Sequence, residues 1–439
     1  MSTPRAIAAN TMTITRRQFA KLSAATAGAA FLSPAARGLA QSPNDAKLIL
    51  SAPLTHSDWV LKPNGPPWDS VRHMLDMCKE AGWSHIYWRV FDAGVSTYHS
   101  KLLRPGGQAE PDNYFAPRND ADLATREKFS HLDSAKAAEI LAKLNNIKYA
   151  EFDSLAASVQ YGHEIGLKIH AWATINEDDH GWGWPSEFTK AHPEFRWVRR
   201  DGKPYHSQLS FAFPEVREYK LGLIDELLAY DIDGLFLDWI RTGDVRDNPQ
   251  TDPQGVADSG YEAPNIAAFK SKYNLDPHDI PNNDDRWVRL RAEPQTEFMR
   301  GVRERVKKQK KPVPIAVMVG HPWHYRGMQD PIDGNLRGLL LDVATWANEG
   351  LMNSAIAAGY YRPGGDAAKA YQALADETKG KVDVWYYAWV PNTPEDFTRD
   401  FTTASTLGAK RMLFWEADYI DDRPNAAALK QIMSSKARW

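Results

Sequence analysis

The chain of 439 residues is long enough for one large α/β barrel or two medium domains. Its formal net charge of -3 gives no sign of a nucleic-acid partner, and its single cysteine, Cys78, excludes an intramolecular disulfide framework. A hydrophobic fraction of 43% supports a substantial core. A mean hydropathy of -0.52 argues against an integral membrane protein.

The N-terminal segment has the composition of an export signal. Arg16 and Arg17 precede an apolar, alanine-rich run from Leu22 to Leu32. This run is shorter than the ~20 residues that a membrane-spanning helix needs. We therefore expect a twin-arginine signal with cleavage near Ala40, and a periplasmic or extracellular bacterial protein whose mature chain has no membrane span. The predicted division is a signal peptide over 1–40 and one catalytic domain over 41–439.

After this segment, short apolar runs alternate with helical patterns along the chain. Such alternation predicts a parallel sheet of the α/β class, and eight units predict a single (β/α)8 TIM barrel. The alternative is an open doubly wound sheet, but no glycine-rich phosphate loop follows the first strand. The predicted strands are Leu48–Pro53, His85–Phe91, Leu167–Thr174, Gly234–Ile240, Pro314–Gly320, Ala355–Tyr361, Val382–Trp389 and Arg411–Ala417. The predicted helices are Trp68–Ala81, Glu151–Ile165, Glu215–Tyr230, Trp287–Lys308, Leu340–Glu349, Ala367–Lys379, Thr393–Leu407 and Ala426–Met433.

Three connections in this pattern are long. They follow strands two, three and four, over about 93–150, 175–213 and 241–264. Loops of this length are uncommon in compact domains unless they are functional. In a barrel they would rise from the face at the C-terminal ends of the strands, which is where catalysis takes place.

Asp238 is the most informative residue, because it ends the apolar run Gly234–Leu237. A carboxylate is costly to bury, so at the C-terminal end of a barrel strand it indicates a catalytic opening. Glu416 ends strand eight in the same way, and Met412 and Phe414 are predicted to lie below it on the inner face. Glycoside hydrolysis uses one protonated and one ionised carboxyl group. Asp238 is thus predicted as nucleophile or base, and Glu416 as proton donor.

Other residues near the predicted strand ends are candidates for binding a sugar. The chain is rich in aromatic residues, whose flat rings pack well against the C–H faces of pyranoses; core packing is the alternative for many of them. By alternation, His170, Trp172 and Thr174 share the inner face of strand three. The predicted substrate-binding residues are His56, Arg89, Asp92, His170, Trp172, Asn176, Glu177, Asp178, Arg241, His321, Tyr360, Trp385 and Trp389.

No cofactor or metal site is predicted. Asp178-Asp179-His180 and the pair His321 and His324 carry ligand-type side chains. Neither has the His-x-His or His-Glu-x-x-His spacing that organises a catalytic zinc.

Several segments, in this order, resemble the glycosyl-hydrolase-like family 10 barrels, and the similarity extends over most of the mature chain. The resemblance implies a secreted or envelope TIM-barrel enzyme that cleaves glycosidic bonds, with members acting on peptidoglycan glycan strands. It also implies that Asp238 and Glu416 occupy matching acidic positions. Many members carry a second acid and an aromatic-proline run after the strand-four aspartate, where this chain has Trp239-Ile240-Arg241. The matching segments are Asp76–Tyr98, Glu164–Trp172, His192–Phe195, Asp201-Gly202, Phe213–Tyr219, Asp231–Gly234, Leu237-Asp238, Asn348–Leu351 and Phe414–Glu416.

Three functions remain open on the sequence. The first is an exported glycoside hydrolase in which Glu177, Asp178 or Asp92 could replace Glu416 as the acid. The second is a non-catalytic carbohydrate-binding barrel. The third is a metal-dependent hydrolase of another bond on a glycan, such as an amide or ester.

Overall fold

A computed structural model of the full chain gives the fold. The chain divides into two units, Met1–Ala46 and Lys47–Trp439, and the description that follows concerns the second. The structure describes residues 49–54, 65–92, 94–106, 142–143, 146–176, 178, 186–238, 240, 258–320, 334–358, 367–389, 393–415, 427 and 431.

The centre of the second unit is a closed barrel of eight parallel strands. Each strand pairs with its neighbours in chain order, and the last strand pairs with the first. This arrangement confirms the predicted (β/α)8 barrel and rules out an open doubly wound sheet. The strands are β1 (Ile49–Leu54), β2 (His85–Arg89), β3 (Lys168–Thr174), β4 (Gly234–Asp238), β5 (Ile315–Gly320), β6 (Ser354–Ala358), β7 (Asp383–Trp389) and β8 (Arg411–Trp415).

Helices follow the strands as predicted, with ends shifted by a few residues. The predicted helix Ala426–Met433 lies almost wholly outside the described residues, and α3, α5 and α7 were not predicted. Only Asn265 and Phe269 of α5 are buried, so no apolar stripe marks it in the sequence. The helices are α1 (Pro67–Glu80), α2 (Ser154–Glu164), α3 (Glu187–Ala191), α4 (Pro214–Leu228), α5 (Ala263–Tyr273), α6 (Asp285–Lys307), α7 (Gly334–Leu339), α8 (Val343–Asn348), α9 (Ala367–Thr378) and α10 (Pro394–Thr406).

Local chemistry sets several helix starts. The carboxylate of Asp153 accepts a hydrogen bond from the N–H of Ala156, 2.9 Å away, and thereby caps α2. Proline stands in the first turn of α1, α4 and α10, where a missing backbone donor costs nothing. No helix among the described residues has the length and apolar character needed to cross a membrane.

Alternate residues of the strands face two different cores. Those that point outward pack under the helices, as Phe414 does against Phe397 and Phe401. Those that point inward fill the barrel, so the interior is packed rather than hollow. The inward cluster comprises Tyr87, Trp172, Phe236, Ala316, Met318, Ile356, Trp385, Tyr387 and Leu413.

The long connections after β2 and β3 contain secondary structure of their own. Three two-residue strands, Phe91–Asp92, Val95–Ser96 and Arg104–Pro105, form a small sheet after β2. After β3, Arg196–Val198 and Pro204–Leu209 pair as an antiparallel hairpin. These elements give the described parts of both connections a fixed position beside the barrel.

Candidate functional site

Asp238 lies where the sequence predicts, at the C-terminal end of β4. Its backbone pairs with Thr174 at the end of β3, and its carbonyl oxygen accepts a hydrogen bond of 2.9 Å from the N–H of Ile175. Only 3% of Asp238 is exposed. A carboxylate this deeply buried needs donors to compensate for its lost hydration.

The indole of Trp172 provides one such donor. Its Nε1–H donates to Oδ2 of Asp238 over 3.1 Å, within the barrel interior. Trp172 precedes Thr174 by two residues, so it shares the inner face of β3 and lies one step below the strand end. The predicted inner face of β3 is thus confirmed, and Trp172 itself has no exposed surface.

Arg89 completes this group from the other side. It ends β2, pairs with Trp172 in register, and places its guanidinium 5.1 Å from the centre of the indole ring. A guanidinium over an aromatic face is an attractive cation–π arrangement. Asp238, Trp172 and Arg89, which come from three adjacent strands, are called the Asp238 cluster below.

The bond from Trp172 favours the ionised form of Asp238, because a donated hydrogen bond stabilises the charged carboxylate. An ionised carboxylate in a catalytic opening can act as nucleophile or base. Glycoside hydrolysis also needs a proton donor, and the predicted donor Glu416 and the alternative Glu177 lie outside the described residues. For Asp92 the structure describes the backbone, in the strand Phe91–Asp92.

The prediction that Met412 and Phe414 form the inner row of β8 is wrong. Met412 and Phe414 belong to the outer core under the helices, and Leu413 is the residue that points into the barrel. Both faces of a barrel strand are apolar, because helices cover the outside. Polarity therefore gave no indication of which face was which.

Asp178 is placed in a structural ion pair, which corrects its assignment to substrate binding or acid catalysis. Its Oδ1 contacts the ammonium of Lys220 on α4, and its Oδ2 accepts a 2.8 Å hydrogen bond from the N–H of Leu209. The two charged side chains are 2% and 4% exposed. Both oxygens of the Asp178 carboxylate are therefore occupied by donors inside the fold.

His170 lies deep in the barrel and not at its rim, so its assignment to substrate binding is also wrong. Its ring packs 5.0 Å from Tyr87 and 5.4 Å from His85, the first residue of β2. Burial, followed by the neighbouring His85, lowers the pKa of His170 to about 3. The imidazole is therefore neutral at physiological pH.

Trp385 is likewise part of the barrel core. It stacks on Tyr87 at 5.6 Å and donates a 3.2 Å hydrogen bond to Asp383, the first residue of β7. Arg411, the first residue of β8, lies over its ring. These contacts put Trp385 toward the N-terminal end of the barrel, away from the C-terminal ends of the strands.

Asn176 has a role in joining two loops rather than in holding a sugar. Its Nδ2 donates a 2.8 Å hydrogen bond to the carbonyl oxygen of Ile240, and the residue is fully buried. The bond ties the chain just beyond β3 to the chain just beyond β4. It corrects the assignment of Asn176 to substrate contact.

The remaining predicted site residues stay predictions. Trp389 ends β7, and only its backbone is described. The other residues outside the described part of the chain are His56, Glu177, Arg241, His321, Tyr360 and Glu416.

A second buried polar group lies beside the barrel. Glu262 accepts hydrogen bonds from the N–H of Val198, at 2.9 Å, and from Nδ2 of Asn265, at 3.0 Å. Burial raises the pKa of Glu262 to about 7, against these donors and the nearby Arg291. Arg291 in turn donates to the carbonyl oxygen of Ser259 over 2.7 Å. The group anchors the hairpin after β3 to α5 and α6.

The sequence contained a signal for two of these buried charges. Lys220 and Arg291 each interrupt the apolar stripe of a helix, at positions whose neighbours Val216, Leu223 and Val288 are buried. A charged residue on such a stripe is rarely buried without a partner. No three His, Cys, Asp or Glu side chains in the described part of the chain come together as a metal site would require.

Known structures share this fold. The glycoside hydrolase domain of PgaB (BpsB) from Bordetella bronchiseptica matches with a TM-score of 0.57 and 14% identity, over 89% of this chain and 99% of that domain. The β-amylase catalytic domain from Paenibacillus polymyxa matches with a TM-score of 0.55 and 12% identity, over 89% and 99% of the two chains. At these identities the likeness shows the fold alone.

Sequence comparison gives the family. No curated protein sequence is detectably similar to this chain. The family model described as Glycosyl hydrolase-like 10 matches residues 133–384, which include β3 to β6 and the start of β7. The match covers more than half of the chain and includes Asp238 and Trp172. The protein belongs to the glycosyl hydrolase-like 10 family and is a glycoside hydrolase-like barrel.

Proposed function

We propose that the protein is an exported glycoside hydrolase that cleaves the O-glycosidic bonds of a poly- or oligosaccharide, with Asp238 as nucleophile or base. The observation that supports this most directly is the buried carboxylate of Asp238 at the C-terminal end of β4, which accepts a hydrogen bond from Trp172. The catalytic face of a TIM barrel is the place where such a group acts.

The proton donor is a second carboxylic acid from another strand end or loop. Glu416 is the leading candidate by its position at the predicted end of strand eight, and Glu177 and Asp92 are the alternatives. In retaining enzymes the two carboxyl groups lie about 5–5.5 Å apart, and in inverting enzymes about 6.5–9.5 Å. Glu416→Gln, Glu177→Gln and Asp92→Asn identify the donor, because its loss spares substrates with good leaving groups that need no protonation.

Turnover on a glycan panel tests the proposal. The panel would include peptidoglycan glycan strands, and the products would be separated by mass. Asp238→Asn should lower kcat by about 10²–10⁴ at nearly unchanged fold, the range that acid–base groups contribute. The control is Asp225→Asn, an acid on the outer surface of α4 that pairs with Arg305.

Three results would change the proposal. Full activity of Asp238→Asn would show that this residue takes no part in the mechanism. Saturable glycan binding without turnover across the panel would indicate a carbohydrate-binding barrel. Activity that disappears with a chelator and returns with a metal ion would indicate a metal-dependent hydrolase.

Export is proposed from the sequence alone. Replacement of Arg16 and Arg17 by lysine should retain the protein in the cytoplasm of a bacterium with a twin-arginine translocase. The control is Arg5→Lys, outside the predicted motif. Equal periplasmic recovery of both variants would contradict the proposed route.

A further inference from the structure

We propose that Trp172 is a positioning residue for Asp238, holding its carboxylate through the indole N–H, and not a surface on which the sugar stacks. The inference rests on the proposed function, which it deepens by assigning a role to a residue beside the reacting group. Two observations carry it: the 3.1 Å bond from Nε1 to Oδ2 of Asp238, and the complete burial of the indole.

Burial decides between the two roles open to a tryptophan at this site. A sugar-stacking ring must present one face to the ligand, whereas Trp172 has no exposed surface. Arg89 lies 5.1 Å from the ring centre, and Phe236 lies 6.1 Å away with its ring tilted by 48°. Neighbours from β2 and β4 therefore contact the indole from both adjacent strands.

These contacts fix the direction of the N–H. Backbone pairing places Arg89 and Phe236 on either side of Trp172 in the same row of the sheet. A donor fixed by regular strands is held more accurately than one that a loop carries. The bond thus fixes the rotamer of Asp238 and the position of its Oδ2 atom.

The donor also determines which chemistry Asp238 can perform. An N–H that points at a carboxylate oxygen stabilises the ionised form, which a nucleophile or base requires. The same donor disfavours the protonated form, which a general acid requires. Trp172 therefore separates the roles of the two acids: Asp238 receives the base or nucleophile role, and the proton comes from another residue.

The test removes the N–H while keeping the shape of the ring. Site-specific incorporation of benzothienylalanine at position 172 replaces the indole nitrogen with sulfur, and Trp172→Phe is the genetically simpler second variant. The matched control is the same replacement at Trp385, a buried indole of the barrel core that donates to Asp383. Circular dichroism and thermal melting would establish that each variant is folded.

We expect kcat at position 172 to fall about ten- to a hundred-fold with KM nearly unchanged, the loss that corresponds to one hydrogen bond to a charged group. The control at position 385 should retain kcat. In the Asp238→Asn background, replacement at 172 should have no further effect, because the group on which it acts is gone. A rise in KM with unchanged kcat, or equal losses at 172 and 385, would overturn the proposal.

A spectroscopic measurement separates this proposal from the proposed function. In an indole-labelled sample, the Nε1–H signal of Trp172 should exchange slowly with solvent, and it should shift when Asp238 is replaced by asparagine. The Trp385 signal should stay in place. If the wild-type protein cleaves no glycan, the proposed function fails while this signal still decides whether the bond to Asp238 exists. An unshifted Trp172 signal would show that the hydrogen bond to Asp238 is absent, even in an active enzyme.

Discussion

The ring of His170 occupies the space that a side chain at position 234 would need. A Cβ at Gly234 would lie 2.6 Å from Cε1 of the imidazole and 2.9 Å from the carbonyl oxygen of Pro314. Backbone pairing brings Gly234 and His170 side by side on β4 and β3. The first residue of the strand that carries Asp238 must therefore be glycine for the barrel interior to close around His170.

Gly234→Ala should lower the free energy of unfolding by about 1–3 kcal/mol, since an added methyl group overpacks the core. Chemical denaturation measures the change. The control is Gly65→Ala, because the nearest atom to a Cβ there is 3.8 Å away. Equal stability of Gly234→Ala and the wild type would show that His170 can move aside.

His170 should make the protein sensitive to acid. Burial lowers its pKa from 6.5 to about 3, so below pH 6.5 the unfolded chain binds a proton that the folded protein does not bind. Stability is therefore lost as the pH falls from 6.5 to about 3, at about 1.4 kcal/mol per pH unit. His170→Asn should flatten this part of the profile, as chemical denaturation at a series of pH values would measure. A profile of unchanged slope would contradict the assignment.

Glu262 should have the opposite effect between pH 4.5 and 7. Burial raises its pKa from 4.5 to about 7, so the folded protein retains a proton that the unfolded chain releases above pH 4.5. This contribution is complete below pH 4.5 and is lost as the pH rises to 7. As the pH rises across this window, the free energy of unfolding of Glu262→Gln should increase relative to wild type by about 1.4 kcal/mol per pH unit. A difference that stays constant with pH would contradict the assignment.

The ion pair of Asp178 and Lys220 should be important for folding. Lys220→Met leaves a buried carboxylate without its counter-charge and should lower the free energy of unfolding by about 3–5 kcal/mol. Lys190→Met breaks a 3.2 Å pair with Glu187 that is exposed, and should cost less than about 1 kcal/mol. Adding Asp178→Asn to Lys220→Met should restore part of the loss. A double variant that is less stable than either single one would argue against the pair.

The sequence predicted the architecture because its local signals agree. Each strand is a short apolar run followed by a helical pattern, and the polar residue at the end of β4 marked the face at the C-terminal ends of the strands. The depth of a side chain within the barrel was harder to predict. His170 and Trp385 were assigned to the rim, yet both lie lower, because strand tilt and register set height and neither can be determined from alternation alone.

Contacts between residues that are distant in the chain could also not be predicted from the sequence. Asp178 and Lys220 are 42 positions apart, and only the fold shows that the acid is already neutralised. Trp172 and Asp238 were each predicted to be site residues, but the hydrogen bond between them follows from the pairing of β3 with β4. Pairwise chemistry of this kind depends on register, which residue types do not specify.

The bond from Asn176 to Ile240 marks a boundary for protein engineering. It closes the ends of β3 and β4 two residues beyond Asp238, so the Asp238 cluster lies wholly on the barrel side of this link. A loop from a relative could be grafted after Ile240 without disturbing the strand ends that carry Trp172 and Asp238. The loop and the strand ends would then be exchangeable separately, with Asn176 and Ile240 kept as the junction.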